Sequence, residues 1–226
     1  MLTRIGITGT DTGVGKTVVA AALITMLRHN TLRVAPMKPV ETGGGDDAAR
    51  LLAAAGDLYP IDLVRPIAFA EPLAPLVAAQ RAGTPIDVRV LDTAFSQLRA
   101  MSDTIVVEGA GGLLVPVTET ETFATLFKRW ELELIVVAAN RLGTVNHTLL
   151  TVQCAQAHGL TVRGVVLNTI SNGPSGVAEQ TNRALLEELL CTIPVVSVPH
   201  ASTPYDAGPI TQSLGDLLSS TIAPPA

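Results

Sequence analysis

Gly9-Thr-Asp-Thr-Gly-Val-Gly-Lys-Thr17 decides the reading of this chain. It follows the apolar run Ile5-Gly-Ile7 and opens onto Val18-Val-Ala-Ala-Ala-Leu-Ile24. A strand, a glycine-bearing turn and a helix in that order build a phosphate cradle. Free backbone N–H groups of the turn and the positive end of the helix dipole converge on one point. Lys16 is placed to reach β- and γ-phosphates, and the Thr17 hydroxyl to ligate magnesium. The stretch departs once from the G-x-x-x-x-G-K-[ST] pattern: Thr10 stands where the first glycine belongs, and Gly9 precedes it by one residue. The plainer alternative is a tight turn with a chance Gly-Lys-Thr. It leaves unexplained why a strand and a helix flank the turn as the motif requires.

The 226 residues suit one α/β domain, with residues 221–226, ending Pro-Pro-Ala, as a frayed tail. Apolar residues make up 47% and aromatics 3%, so the core is built from Ala, Val, Leu and Ile, as buried parallel strands prefer. A net charge of −5 without a Lys/Arg cluster argues against nucleic acid or an anionic membrane as partner. The longest apolar runs are far short of a membrane span, and the first residues show no signal-peptide pattern. Cys154 and Cys191 are isolated, without C-x-x-C spacing, in helical, apolar surroundings, and read as buried reduced thiols. A cytoplasmic protein is expected.

Short β-like runs at residues 4–8, 34–37, 104–108, 134–139, 164–168 and 195–198 alternate with helical patterns. The helical patterns cover residues 16–29, 46–55, 88–101, 146–158 and 177–190. Such alternation predicts a doubly wound, mainly parallel sheet flanked by helices, with ligands at the carboxyl ends of its strands. The Pro- and Ala-rich segment 59–85 reads as a loop excursion around a short helix.

Polar residues gather at those carboxyl ends. Lys38 heads Met37-Lys-Pro-Val-Glu-Thr-Gly43 and is one of only three lysines, with Lys16 and Lys128. Placed beside a phosphate cradle, it can neutralise charge on a phosphoryl group in transfer; otherwise it is a solvated surface lysine. Asp46 and Asp47 open a helix, where at least one serves as N-cap and one is a candidate magnesium ligand. Glu108 ends the Thr104-Ile-Val-Val strand before Gly109-Ala-Gly-Gly112, placed like a Walker-B carboxylate, and these glycines let backbone approach a nucleotide.

Taken together, Gly9-Thr-Asp-Thr-x-Val-Gly-Lys-Thr17, Lys38-Pro-Val-x-Thr-Gly43, Val107-Glu-Gly-Ala-Gly-Gly112 and Leu142-Gly-Thr-Val-Asn-His147 resemble dethiobiotin synthetase. The resemblance covers residue 4 to about 200. It implies a P-loop fold and an ATP- and magnesium-dependent enzyme that carboxylates 7,8-diaminononanoate with carbon dioxide and closes a cyclic urea. The intermediates implied are a carbamate and a carbamic-phosphoric anhydride. Lys16 and Lys38 would be the catalytic cations, and Thr17, Asp47 and Glu108 would hold magnesium. Gly13, Val14, Gly15, Lys16, Thr17, Val18, Asp47, Glu108, Gly109, Ala110 and Gly111 would contact ATP. Asn168, Thr169, Pro199, His200, Ala201 and Asp206 would surround the purine, although Thr169 stands where an acidic residue is common in the family. Thr12 and Thr42 would hydrogen-bond the carbamate end. Leu142, Gly143, Thr144, Val145 and Asn146 would receive the substrate carboxylate of the neighbouring subunit in a homodimer with shared sites. His147 reads as a structural residue at a helix start.

Two other readings share the P-loop. A partition- or septum-positioning switch ATPase carries a second lysine early in the loop, where this chain has Thr10, Asp11 and Thr12. A glutamine-dependent amide ligase needs a separate glutaminase domain, for which 226 residues leave no room.

Overall fold

The computed structural model describes residues 3–30, 32–172, 176–200 and 208–219. In chain order the elements are β1 (Thr3–Gly9), α1 (Lys16–His29), β2 (Val34–Met37), β3 (Val40–Thr42), α2 (Asp47–Ala54) and α3 (Ile61–Val64). They continue with β4 (Ile67–Phe69), α4 (Pro75–Ala82), α5 (Val88–Ala100), β5 (Thr104–Gly112), α6 (Phe123–Arg129) and β6 (Glu133–Ala139). The chain then runs through α7 (Thr144–Ala157), β7 (Val162–Asn168), α8 (Val177–Leu190), β8 (Val195–Val198) and α9 (Gly208–Ser219).

A six-stranded parallel sheet in the order β2-β5-β1-β6-β7-β8 forms the centre. β1 lies between β5 and β6: the chain runs from β1 out to β2 on one side, returns through β5, and then crosses to β6 on the other. This is the point where α/β sheets open a crevice for ligand. The sheet core is almost wholly aliphatic: Ile5, Ile7, Ile105, Val106, Val107, Ile135, Val136 and Val166 are fully buried. α1 covers one face with Val19, Ala20, Leu23, Ile24 and Leu27, a helical spacing of apolar residues. Among the described residues, no helix is long and apolar enough to cross a membrane.

All six expected strands pair in this one sheet, confirming the doubly wound parallel reading. Several expectations need correction. The two cysteines are not buried: Cys154 is half-buried on α7, and Cys191 is exposed where α8 ends. β5 does not stop at Glu108: it runs on to Gly112, which pairs with Gly9. Gly109 is a packing site, since a Cβ there would meet the Phe127 ring at 3.2 Å and the Phe123 ring at 3.4 Å. Segment 59–85 is more than a loop. It contains α3, α4 and β4, and β4 pairs parallel with β3 as a separate two-stranded sheet. Helix α7 begins at Thr144, two residues before the expected start, because Gly143 adopts φ +90° and turns the chain directly into the helix. Neither Asp46 nor Asp47 caps α2. Asp46 occupies the N-cap position without a side-chain cap bond, and its carboxylate pairs with Arg50 at 2.9 Å instead. The expected tail at 221–226 lies outside the described residues.

Candidate active site

β1 delivers the loop at residues 10–15 to the head of α1. The departure at Thr10 has a steric explanation. A Cβ on Gly9 would lie 2.7 Å from the Asp11 carbonyl oxygen and 3.0 Å from Lys16 Nζ, so the position that must be glycine is the last residue of the strand. Gly15 is required twice over. Its φ is +95°, and a Cβ would fall 2.0 Å from Asn168 Nδ2. That same Asn168 amide donates to the Val14 carbonyl at 2.9 Å, tying the end of β7 to the phosphate loop.

A cavity of about 330 Å³ opens above the loop. Its lining includes Thr12, Gly13, Gly15, Lys16, Thr17, Val18, Lys38, Thr42, Asp47, Glu108, Ala110 and Gly111, brought together from five separate segments. Lys38 is not a solvated surface residue, being only 3% exposed. Its ammonium donates to Glu108 Oε1 at 2.5 Å and Asp47 Oδ2 at 2.9 Å. The Thr17 hydroxyl donates to the same Glu108 oxygen at 2.9 Å. Lys16 Nζ rests on the Asp11 carbonyl at 3.0 Å.

The electrostatics follow from burial and partners. Desolvation is the largest influence on Lys16 and lowers its pKa to about 8, with Lys38 adding repulsion and Glu108 opposing the fall. Burial also works against the charge on Lys38, but Glu108 and Asp47 together outweigh it and raise its pKa. For Asp47 burial favours protonation, yet the Lys38 ammonium holds the carboxyl below its ordinary value. Glu108 is wholly buried, and desolvation pushes its pKa up despite Lys38. The site therefore presents two buried cations to an incoming anion and keeps one of them, Lys38, firmly protonated.

The donor set suits magnesium. Among the described residues no group of three or more His, Cys, Asp or Glu side chains forms a cage. Thr17, Asp47 and Glu108 offer two carboxylates and one hydroxyl, and Glu108 Oε2 is buried without a hydrogen-bond partner. Few protein ligands, hard oxygens and an orphaned carboxylate oxygen are what a magnesium ion that keeps its waters accepts.

A second cavity of about 420 Å³ adjoins the first and shares Thr12, Thr42, Ala110 and Gly111 with it. Its other walls are apolar: Pro72, Leu73, Ala74, Pro75 and Val115. These residues were missed in the sequence, where the Pro-rich segment carries no periodic signal. Arg50, on the rim of the first cavity, was also missed, although its i+4 spacing from Asp46 was visible.

Other expected residues lie elsewhere. Leu142 is 86% exposed at the head of α7, and Thr144 is buried there with an unpartnered hydroxyl. Gly143, Val145 and Asn146 complete that turn, which lines neither cavity. Arg141, just before it, approaches Asp11 of the phosphate loop at 3.6 Å. Thr169 donates its backbone N–H to Val198, Pro199 is exposed and His200 half-buried. Ala201 and Asp206 lie outside the described residues.

Comparisons with known proteins identify the family. A family model described as an AAA domain matches residues 3–202. The ATP-dependent dethiobiotin synthetase BioD of Anaeromyxobacter dehalogenans (strain 2CP-1 / ATCC BAA-258) is 40% identical over 221 residues, covering 96% of this chain and 97% of that one. The protein of the same name from Bacillus cereus (strain ATCC 14579) is 40% identical over 217 residues, covering 91% and 85%. Among solved structures, the septum site-determining protein MinD with Mg-ADP from Pyrococcus horikoshii OT3 has a TM-score of 0.61 at 16% identity, covering 98% of this chain and 96% of that one. Apo McdA from Cyanthece has a TM-score of 0.57 at 12% identity, covering 96% and 100%. These two share the fold alone, whereas the sequence relatives match along nearly the whole length. The chain belongs to the ATP-dependent dethiobiotin synthetase family.

Proposed function

We infer that this chain is an ATP-dependent ligase of biotin biosynthesis, which carboxylates 7,8-diaminononanoate and closes it to the cyclic urea dethiobiotin. One observation carries the reading beyond family membership. Two lysines converge on the cavity above the phosphate loop, which adjoins an apolar one, and among the described residues no cysteine, serine or histidine lines either. A site without a Ser-His or Cys-His arrangement suits a reaction whose nucleophiles all belong to the substrate.

One amine adds to carbon dioxide, giving a carbamate and releasing a proton. A carbamate oxygen attacks the γ-phosphorus, and ADP leaves. The second amine attacks the carbamoyl carbon, expelling phosphate and a proton as the ring closes. The protein positions these groups and stabilises charge. Lys16 and Lys38 face the phosphoryl oxygens, and the Thr12 and Thr42 hydroxyls, at the junction of the cavities, orient the carbamate. The walls from Pro72 to Pro75 and Val115 take the aliphatic chain. Gly13, Val14, Gly15, Val18, Gly109, Ala110 and Gly111 bring backbone to the nucleotide, and Asn168, Thr169, Pro199, His200, Ala201 and Asp206 its base. Thr17, Asp47 and Glu108 would hold magnesium, which neutralises β- and γ-phosphate charge when bound.

We further read residues 1–226 as one ATP-binding synthetase domain, its described residues sharing one hydrophobic core, working in the cytoplasm as a homodimer. The support for the homodimer is the Leu142–Asn146 turn: a helix N-terminus able to hold an anion, standing apart from both cavities of its own chain. The test is ATP hydrolysis with and without the diamine and bicarbonate. Phosphate release should require both. Rapid hydrolysis without diamine, or stimulation by DNA or lipid, overturns the reading in favour of a switch ATPase.

A further inference from the structure

Glu41 lies in the Lys38-Pro-Val-Glu-Thr-Gly43 block but has no assigned role, and it is 2% exposed. A buried carboxylate needs a reason, because leaving one uncompensated is costly. Oε1 accepts the backbone N–H of Ala48, the second residue of α2, at 3.1 Å. Oε2 accepts from Arg65 Nη1 at 2.8 Å. Arg65 stands at the end of α3, so one carboxylate joins β3, the start of α2 and the end of α3.

The connection between Glu41 and Ala48 is otherwise loose. It passes through Gly43 and Gly44, at φ +89° and +62°, and Gly45. Asp46 gives α2 no side-chain cap. Glu41 supplies the cap from the neighbouring strand, where its negative charge also suits the positive end of the helix. Residue 47 immediately precedes the bonded N–H, and Asp47 Oδ2 lies 2.9 Å from Lys38 Nζ. Any slip of the first turn of α2 moves that carboxylate.

We propose that Glu41 is a positioning residue, which clamps the head of α2 so that Asp47 meets Lys38 and Glu108 at the metal-binding set. The proposal rests on the reading of Asp47 as a magnesium ligand. Its test is calorimetric ADP binding in magnesium and in EDTA, alongside thermal melting, for Glu41→Ala, Glu41→Gln and Asp47→Asn. Groups that orient a metal ligand commonly affect metal affinity by about 10–100-fold. Glu41→Ala should therefore lose about tenfold of the magnesium-dependent gain in ADP affinity while EDTA affinity stays within about twofold. Glu41→Gln keeps an oxygen for the Ala48 N–H and should restore most of the gain. If Glu41→Ala melts lower but keeps the full magnesium gain, Glu41 is only structural and the proposal falls. If Glu41→Ala does not fold, the paired variant Glu41→Leu/Arg65→Leu, which removes the Ala48 acceptor without stranding the guanidinium, takes its place, and an unchanged magnesium gain there is equally fatal. An unchanged gain in Asp47→Asn instead refutes the ligand assignment, a separate failure.

Discussion

Replacing Lys38 by alanine should damage folding and catalysis together, and pH separates the two effects. The ammonium lies 2.5 Å from Glu108, whose side chain is fully buried. Its removal leaves Glu108 Oε1 with the Thr17 hydroxyl, and Oε2 is already unpartnered. Breaking a buried pair by deleting one partner costs about 3–5 kcal/mol when the other charge stays. At roughly 2–4 °C per kcal/mol for a chain of this size, the melting temperature should fall by about 6–20 °C near neutral pH. Glu108 can escape by protonation, toward which burial already biases it. A carboxyl whose folded pKa exceeds its unfolded value stabilises the fold at low pH and loses that contribution as pH rises through the folded pKa. The melting deficit of Lys38→Ala should therefore shrink toward the ordinary carboxylate range, about pH 4–5, and grow above it. Lys38→Met with Glu108→Gln removes both charges and should recover most of the stability, since replacing a buried pair is far cheaper than breaking it. Neither variant should recover turnover, which should fall by about 10²-fold or more. A deficit independent of pH, or near-normal turnover in Lys38→Ala, refutes the reasoning.

Glu108→Gln and Asp47→Asn should each raise the magnesium needed for half-maximal turnover, whereas Asp46→Asn, which removes only an exposed pair with Arg50, should not. The reverse pattern between positions 46 and 47 would move the metal to Asp46. Nucleotide binding should take up close to one proton above pH 8, because burial lowers Lys16 to about 8 and bound phosphate restores its charge. Calorimetry at pH 9 in buffers of different ionisation enthalpy measures it, and absence of uptake would contradict the burial argument. In a mixture of Lys16→Ala and Gly143→Pro subunits, each shown to fold, dimerise and exchange, a shared site should restore about a quarter of wild-type sites from two inactive parents. Gly143 has φ +90°, which proline cannot adopt, so the turn is broken locally. Exchange without recovered activity means each subunit builds its own site.

The sequence by itself determined the central sheet and most of the phosphate cavity. Strands such as Ile5–Ile7 and Val106–Val107 are buried on both faces, so composition and alternation with helices declare them without tertiary knowledge. The cradle residues Gly13 to Thr17 are contiguous, and Lys38 and Glu108 stand at strand ends, which a parallel sheet carries to a common edge. Only the tertiary structure decided what depends on contacts between distant segments. That Lys38 is a buried partner of Glu108 rather than a surface charge is a contact across 70 residues of sequence. Gly109 and Gly112 read locally as a turn, yet the rings of α6 and the backbone of β1 hold them as strand. Asp46 and Asp47 looked like caps because local preference is all a sequence displays. The cap came from Glu41 on another strand, while Asp46 turned to Arg50 and Asp47 to Lys38. Periodicity reports which face of an element is buried; which side chain satisfies a given N–H or charge is settled by packing.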